Sequence, residues 1–166
     1  MIGGTDLRLF VECHGFTCAL EARAIDRLVL PEEVREVNAG VVPVVEVTGV
    51  RFVTFNLGRL LGLSPTDGAY ILMRLTYAGT ELRVALETGQ CLLVAPPVDT
   101  TPFPAAMFRS RRKAIIGAFA VADGLRGGGR RAAVGLAIDV AELLTVQERD
   151  AAVRSLKGIY ESAVTR

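Results

Sequence analysis

Aromatic residues and histidine are scarce in this 166-residue sequence, which has no tryptophan, three tyrosines, seven phenylalanines and one histidine, His14. Few aromatic side chains leave few stacking platforms for sugars or unpaired bases. His14 has no nucleophile motif around it, and neither G-x-S-x-G nor H-E-x-x-H occurs, so the sequence gives no support for hydrolytic catalysis. We therefore expect a protein that is not an enzyme and that needs no cofactor.

Long hydrophobic runs and targeting signals are also missing. The longest uninterrupted apolar stretch, residues 114–122, has nine residues, whereas a membrane-spanning helix needs about 20. The opening residues MIGGTD lack the basic patch and apolar run of a secretory signal. An odd number of cysteines in a chain of this size is typical of a reducing compartment. These features predict a cytoplasmic protein.

The few cysteines do not have the spacing of a metal site. Cys13, His14 and Cys18, with Cys91, are potential soft ligands. However, C-H-x-x-x-C lacks paired C-x-x-C spacing, and neighbours on a strand point to opposite faces, so Cys13 and His14 are expected to diverge. We expect buried small side chains and a turn histidine here, and no bound metal.

Hydrophobic residues make up 51% of the chain, enough for one sizeable core in a single domain. Short β-type runs bounded by glycine, proline or acidic residues dominate the first two thirds, as is typical of small barrels or sandwiches. We predict three hairpins and one further strand. They lie at residues 7–20 around His14-Gly15, at residues 41–57 around Thr48-Gly49, at residues 69–87 around residues 78–80, and at residues 90–95.

The connections between these strands contain two short helical segments and a long crossing. Residues 21–27 (EARAIDR) are rich in helix formers and predict one or two helical turns. Residues 56–63 (NLGRLLGL) predict a short helical closure. Prolines make residues 96–114 a long crossing connection. Residues 115–122 and 132–138 then predict a last strand pair around a glycine-rich loop.

The C-terminal residues 145–166 predict an amphipathic helix. Thr145 and Glu148 have the spacing of a capping box, in which each side chain satisfies the other's backbone amide. Apolar residues recur at helical spacing after it, and they predict that one face covers the core. These residues are Val153, Leu156, Tyr160 and Ala163.

One stretch has a more specific pattern than the rest. Residues 44–63 (VVEVTGVRFVTFNLGRLLGL) resemble the motif G-V-x-N-L-R-G-x-x-x-P-x-x-D-L-x-x-L-L-G of the CheW family of chemotaxis coupling proteins. Thr48-Gly49 falls on the Arg-Gly pair of that motif, and Asn56-Leu57 falls on its Asp-Leu pair. Residues 9–28 and 135–144 resemble the family's opening and closing segments. The resemblance extends over roughly residues 7–150.

The resemblance implies a fold and a function. The fold is mainly β, with two intertwined five-stranded SH3-like β-barrels, short helices and a C-terminal helix in one domain, residues 1–166. The expected lobes are residues 7–65 with 139–150, and residues 66–138. The implied function is that of a non-catalytic adaptor that links the cytoplasmic tips of chemoreceptors to the regulatory domain of a CheA-like histidine kinase. Other CheW-like proteins are further implied partners.

Departures from the family pattern predict an altered partner specificity. Thr48 stands where relatives carry an arginine, Asn56 stands where they carry an aspartate, and Arg27 stands where they usually carry an acid. Both members of an Arg–Asp ion pair would then be lost together, which avoids leaving one charge unpaired. A reversed charge at Arg27 changes which partners are tolerated. The predicted protein-binding residues are Ile25, Arg27, Val47, Thr48, Gly49 and Asn56.

An uneven charge distribution supports a second hypothesis. Residues 1–100 carry 12 acidic and 8 basic side chains, a net charge of −4, whereas residues 101–166 carry 6 acidic and 11 basic ones, a net charge of +5. A small-barrel module could bind nucleic acid or another polyanion through a basic loop cluster. The cluster consists of Arg109, Arg111, Arg112 and Lys113.

Overall fold

The computed structural model describes residues 6–38, 40–96, 99–102, 113–121 and 134–164. Strands dominate these segments, so the prediction of a mainly β fold is confirmed. The strands are Arg8–Cys13 (β1), Phe16–Glu21 (β2), Ile25–Val29 (β3), Arg35–Asn38 (β4), Val44–Val47 (β5), Val50–Asn56 (β6), Ala69–Tyr77 (β7), Thr80–Thr88 (β8), Cys91–Ala95 (β9), Ile115–Ala120 (β10) and Val134–Ile138 (β11). The helices are Leu57–Leu60 (α1) and Val146–Val164 (α2), with 3₁₀ turns at Ala22–Ala24, Pro31–Glu33 and Val140–Glu142.

The three predicted hairpins are confirmed as β1–β2, β5–β6 and β7–β8. Each turns on a two-residue loop whose second residue is glycine, and both loop residues have positive φ. Such loops match the right-handed twist of the strands that they join. The turn residues are His14-Gly15, Thr48-Gly49 and Ala78-Gly79.

The strands form two sheets, one with the order β10-β11-β2-β1-β9 and one with the order β3-β7-β8-β6-β5-β4. The second sheet has six strands where five were expected, because β4 pairs with β5 and an Arg35–Glu46 ion pair links them at 2.6 Å. The first sheet takes strands from both ends of the described chain, since β11 pairs in parallel with β2. The second is built from residues 25–88 alone. The division into lobes 7–65 with 139–150 and 66–138 stays a prediction.

The helix expected at residues 21–27 is limited to the 3₁₀ turn Ala22–Ala24. From Ile25 onward the chain is extended, because β3 pairs with β7 in antiparallel register. Ladder hydrogen bonds and packing of the β-branched Ile25 and Val29 outweigh the weak helix preference of the segment. Ile25 and Arg27 consequently lie on an edge strand and not on a helix.

Apolar side chains cover both faces of both sheets. The largest cluster, which we call the central cluster, joins the facing sides of the sheets and includes Leu20, Ile71, Leu86, Leu136 and Ile138. Alternate residues of the same strands form two smaller clusters on the opposite faces. In the six-stranded sheet these are Val29, Val45, Val47, Phe52, Leu72 and Ala85, and in the five-stranded sheet Phe10, Ala19, Phe119, Val121 and Ala137.

Helix α2 packs on the central cluster through its first turns. The predicted capping box is present: the Thr145 amide donates to Glu148 Oε2 at 2.8 Å, and the Glu148 amide donates to Thr145 Oγ1 at 3.2 Å. Val153 and Leu156 contact the core as expected, whereas the side chains of Tyr160 and Ala163 lie outside the described part of the structure. Among the described residues, no helix combines the length and apolar character needed to cross a membrane.

Candidate partner-binding surface

The tip of the β5–β6 hairpin is an exposed turn formed by Thr48 and Gly49. Their φ angles are 49° and 80°, as a turn with two left-handed residues requires. Thr48 is β-branched, and such residues are genuine outliers in this region because the branched side chain crowds the backbone. Thr48, at the position where the motif that the sequence resembles has an arginine, is thus uncharged, exposed and held in a strained conformation.

Asn56 lies at the other end of β6, where it makes four hydrogen bonds. Its amide nitrogen donates to the Thr66 carbonyl at 2.6 Å and to Glu87 Oε2 at 3.0 Å. Its oxygen accepts from the Thr66 amide at 3.1 Å and from the Arg59 amide at 3.3 Å, the latter as the N-cap of α1. The side chain therefore pairs with both backbone groups of Thr66, much as a neighbouring strand would. Asn56 is thus a structural hub, in the sense that its side chain links three parts of the chain. Its hydrogen-bonding groups are all used within the protein, and none is left for a partner.

The predicted loss of an ion pair between positions 48 and 56 has no geometric basis. Thr48 lies just before the seven-residue strand β6, and Asn56 is the last residue of that strand. A strand rises about 3.3 Å per residue, which places the two residues roughly 20 Å apart. An arginine at position 48 and an aspartate at position 56 would not meet. The two departures from the family pattern are independent of each other.

Three further predicted residues have different surroundings. The side chain of Val47 is fully buried in the cluster with Val45 and Phe52, so it is not available to a partner and we remove it from the predicted surface. Ile25 is half-buried against the central cluster. Arg27 is exposed and forms an ion pair with Glu33 at 2.5 Å, so its charge is locally compensated.

A cleft of about 830 Å³ opens where the β1–β2 turn of one sheet approaches β3 of the other. We call it the inter-sheet cleft. Leu28 and Leu30 are its exposed apolar residues, with 42% and 56% of their surface accessible. The cleft is lined by Glu12, His14, Gly15, Leu28, Val29, Leu30, Pro65, Thr66, Asp67, Gly68, Ala69, Gly89, Gln90 and Cys91. Sequence reasoning missed Leu28 and Leu30, although they directly follow the predicted Ile25 and Arg27.

Close backbone packing forms the floor of the inter-sheet cleft. The Gly89 amide donates to the Glu12 carbonyl at 2.9 Å. A Cβ atom on Gly89 would lie only 2.6 Å from that carbonyl oxygen and 3.1 Å from Thr66 Oγ1. Glycine is therefore required where the chain passes from the six-stranded sheet to the five-stranded one. Contacts of this kind fix the cleft before any partner binds.

A second cleft of about 710 Å³ lies on the far side of the segment 65–67, which lines both clefts. Among the described residues, its charged lining consists of Glu36, Asp67, Glu87 and Glu148 against Arg59, and we call it the acidic cleft. Burial, and then the nearby carboxylates of Glu87 and Glu36, raise the pKa of Tyr70 in its wall. The cleft therefore favours cationic groups.

Two of the three cysteines are small buried side chains, and Cys91 is half-buried. Cys13 and Cys18 are fully buried in the central cluster, and His14 is exposed in the turn, so Cys13 and His14 diverge as expected. A hydrogen bond with Cys13 and complete burial raise the pKa of Cys18 well above its usual range. The described segments contain no group of three or more potential metal ligands.

The basic loop cluster is placed only in part. Arg109, Arg111 and Arg112 lie outside the described residues, and Lys113 is exposed just before β10. The structure therefore gives the polyanion hypothesis no support.

Comparisons with known proteins agree with the fold. No family model matches the sequence, and no curated protein matches it. Among solved structures, the chain is similar to the scaffolding protein TtCheW from Thermoanaerobacter tengcongensis, with a TM-score of 0.60 and 10% sequence identity, over 88% of this chain and 92% of that one. At this identity the likeness concerns the fold alone. The chain thus has two sheets in a CheW-like arrangement, which agrees with the mainly β fold that the resemblance implied.

Proposed function

We propose that the protein is a non-catalytic cytoplasmic adaptor of a chemosensory system, which binds the regulatory domain of a CheA-like histidine kinase and the cytoplasmic tip of a chemoreceptor. The inter-sheet cleft carries this proposal. It is preformed and offers exposed leucines at its rim, and apolar anchors surrounded by polar groups are typical of protein-binding surfaces. The likeness to a scaffolding protein of the same fold supports an adaptor.

The altered tip of the β5–β6 hairpin bears on partner choice. A threonine at position 48 has no guanidinium, and so it lacks the five donors and the fixed charge that an arginine offers to a carboxylate. Thr48 and Gly49 remain exposed, and Arg27 lies on the edge strand β3 with its charge matched by Glu33. We expect a partner surface with fewer acidic groups than the usual kinase presents.

Titration calorimetry with the cognate kinase regulatory domain, and separately with the receptor tip, tests the proposal. Leu30→Ser should weaken binding at the inter-sheet cleft by about 5- to 30-fold, since a buried apolar anchor contributes about 1–2 kcal/mol. Ile116→Ser is the matched control, because Ile116 is similarly exposed, at 50%, but lies on β10. Absence of binding to both proteins would refute the adaptor function.

A further inference from the structure

The turn that presents Leu30 at the inter-sheet cleft is held by a single carboxylate. Glu33 ends the 3₁₀ turn Pro31–Glu33, and its Oε2 accepts a hydrogen bond from the Leu30 amide at 2.9 Å. The Glu33 amide donates in return to the Leu30 carbonyl at 3.0 Å. These two hydrogen bonds close the turn and hold Leu30 in a position that leaves 56% of its surface exposed. Glu33 thus fixes an apolar side chain at the rim, although Glu33 itself does not line the cleft.

The other oxygen of the same carboxylate offsets the charge of Arg27. Glu33 Oε1 accepts from the Arg27 guanidinium at 2.5 Å, and both side chains are partly exposed. Arg27 lies on β3, directly before the cleft residue Leu28. Without Glu33, a partner that approaches the rim would meet an unmatched cation beside the exposed leucines.

The described residues that line the inter-sheet cleft carry charge of one sign. Glu12 and Asp67 are among them, whereas lysine and arginine are not. The imidazole of His14 is exposed in the turn that borders the cleft. Leu28 and Leu30 supply the exposed apolar surface. A partner with apolar side chains and positive charges therefore matches the rim and the lining, because complementary charge favours one partner over another.

We propose that the inter-sheet cleft selects a protein segment in which apolar anchors are flanked by basic residues, and that Glu33 is the positioning residue behind this preference. Glu33 acts through Leu30, which it holds outward, and through Arg27, whose charge it offsets. An acidic segment would place its carboxylates against Glu12 and Asp67, and like-charge contacts of this kind exclude wrong partners. The inference rests on the function proposed above, because it names the chemistry of the partner segment.

Two dye-labelled synthetic peptides with the same spacing of leucines test the charge preference. One has lysine at its polar positions and the other has glutamate, and each is titrated with the full chain at pH 8 by fluorescence anisotropy. At 0.1 M salt, where the screening length is about 10 Å, the lysine peptide should bind about 10-fold more tightly than the glutamate peptide. At 1 M salt, where that length is about 3 Å, the difference should fall below about 3-fold.

Two variants locate the bound peptide. Leu30→Ser should weaken binding of the lysine peptide by about 5- to 30-fold, because it removes an apolar anchor of the inter-sheet cleft. Glu36→Gln is the matched control, since Glu36 is an exposed carboxylate that lines the acidic cleft and not the inter-sheet cleft. The control should change the affinity by less than about 2-fold.

Variants of Glu33 separate its two contacts. Glu33→Gln keeps an acceptor for the Leu30 amide but leaves the Arg27 charge unmatched, so the preference for the lysine peptide should fall about 3-fold. Removal of both charges, in Arg27→Gln with Glu33→Gln, should restore the preference. Glu33→Ala also loses the acceptor, so hydrogen exchange at the Leu30 amide should accelerate at least about 5-fold. A purely structural role would change the affinity for both peptides alike.

Three outcomes would overturn the proposal: equal affinity for the two peptides at 0.1 M salt, no binding of either peptide, or a loss of binding confined to Glu36→Gln. A preference that Glu33→Gln leaves unchanged would overturn the role of Glu33. Kinase and receptor binding is measured separately by calorimetry. A chain that binds neither protein and still discriminates between the peptides would refute the adaptor function alone, so the two failures are distinguishable.

Discussion

The two ends of strand β6 differ in how much change they can accept. At its start, Thr48 and Gly49 form an exposed turn, and a Cβ atom on Gly49 would meet nothing within 4 Å. At its end, Asn56 holds Thr66, Glu87 and the first turn of α1 together. Both ends depart from the CheW-like sequence pattern, yet only the residue at the first end is exposed. The two departures from the motif, at Thr48 and at Asn56, therefore need separate structural explanations.

The contrast separates two substitutions, Thr48→Arg and Asn56→Asp, which the sequence resemblance implies to act together as an ion pair. In the structure the first change alters an exposed tip, whereas the second removes the donor that Thr66 and Glu87 use. We now expect Thr48→Arg alone to strengthen binding to a kinase with an acidic surface, and Asn56→Asp to lower stability.

The largest effect is expected from Gly58→Ala, next to the Asn56 end. A Cβ atom there would lie 2.2 Å from the Ser64 carbonyl oxygen, so the segment that follows α1 must shift. We expect a loss of about 3 kcal/mol in the free energy of unfolding, measured by urea denaturation. Gly49→Ala is the control at the other end. It meets no atoms and should cost only about 1 kcal/mol, through its positive φ. If Gly58→Ala and Gly49→Ala lowered the free energy of unfolding equally, the two ends of β6 would not differ in their tolerance of change.

Asn56→Asp should have the next largest effect. The variant loses the donated hydrogen bonds and places a carboxylate beside Glu87, so we expect a loss of about 2 kcal/mol at pH 7. Repulsion between the two carboxylates raises the pKa of one of them in the folded state, so the folded state binds a proton more tightly than the unfolded state does. The loss should therefore be largest at neutral pH and shrink toward pH 4.

Addition of Glu87→Gln is the control for Asn56→Asp. Glutamine can donate to the new carboxylate, so the double variant should recover much of the stability and lose the pH dependence. An Asn56→Asp variant as stable as the unmodified protein at pH 7 would contradict the role of Asn56 as a hub.

The smallest effect is expected at Thr48, and it has the opposite sign. Asparagine tolerates positive φ better than a β-branched residue, and Asn-Gly is the preferred sequence for this turn. Thr48→Asn should therefore raise the free energy of unfolding by about 1 kcal/mol. Thermal unfolding followed by circular dichroism measures it. Val50→Asn, a change next to the same turn where no left-handed backbone exists, should not stabilise the protein.

Local signals account for the parts of the fold that the sequence predicted correctly. The turns at His14-Gly15 and Thr48-Gly49 are each determined by their own two residues. The Thr145–Glu148 cap is determined by four consecutive residues. Residues 21–27 were misjudged because their partner strand, β7, lies more than 40 residues away along the chain. A short segment takes the structure that its neighbours impose.

The candidate site was harder to predict than the fold. The motif alone predicts Asn56 on a partner surface, because the contacts that Asn56 makes, Thr66 and Glu87, are 10 and 31 residues distant in the sequence. Val47 was assigned there because it precedes an exposed turn, although its side chain points to the buried face. Leu28 and Leu30 were missed because their exposure depends on β3 being a sheet edge. The type of a residue shows which contacts its side chain can make. Whether that side chain is accessible to a partner depends on how the sheets assemble.

The parallel pairing of β2 with β11 has a consequence for how the chain matures on the ribosome. All strands of the six-stranded sheet emerge before β9, so that sheet can assemble while the β1–β2 hairpin still lacks its partner strand β11. The N-terminal residues must wait for the synthesis of more than 110 further residues before β2 gains that partner. During that interval their apolar side chains are open to chaperones and to misassembly.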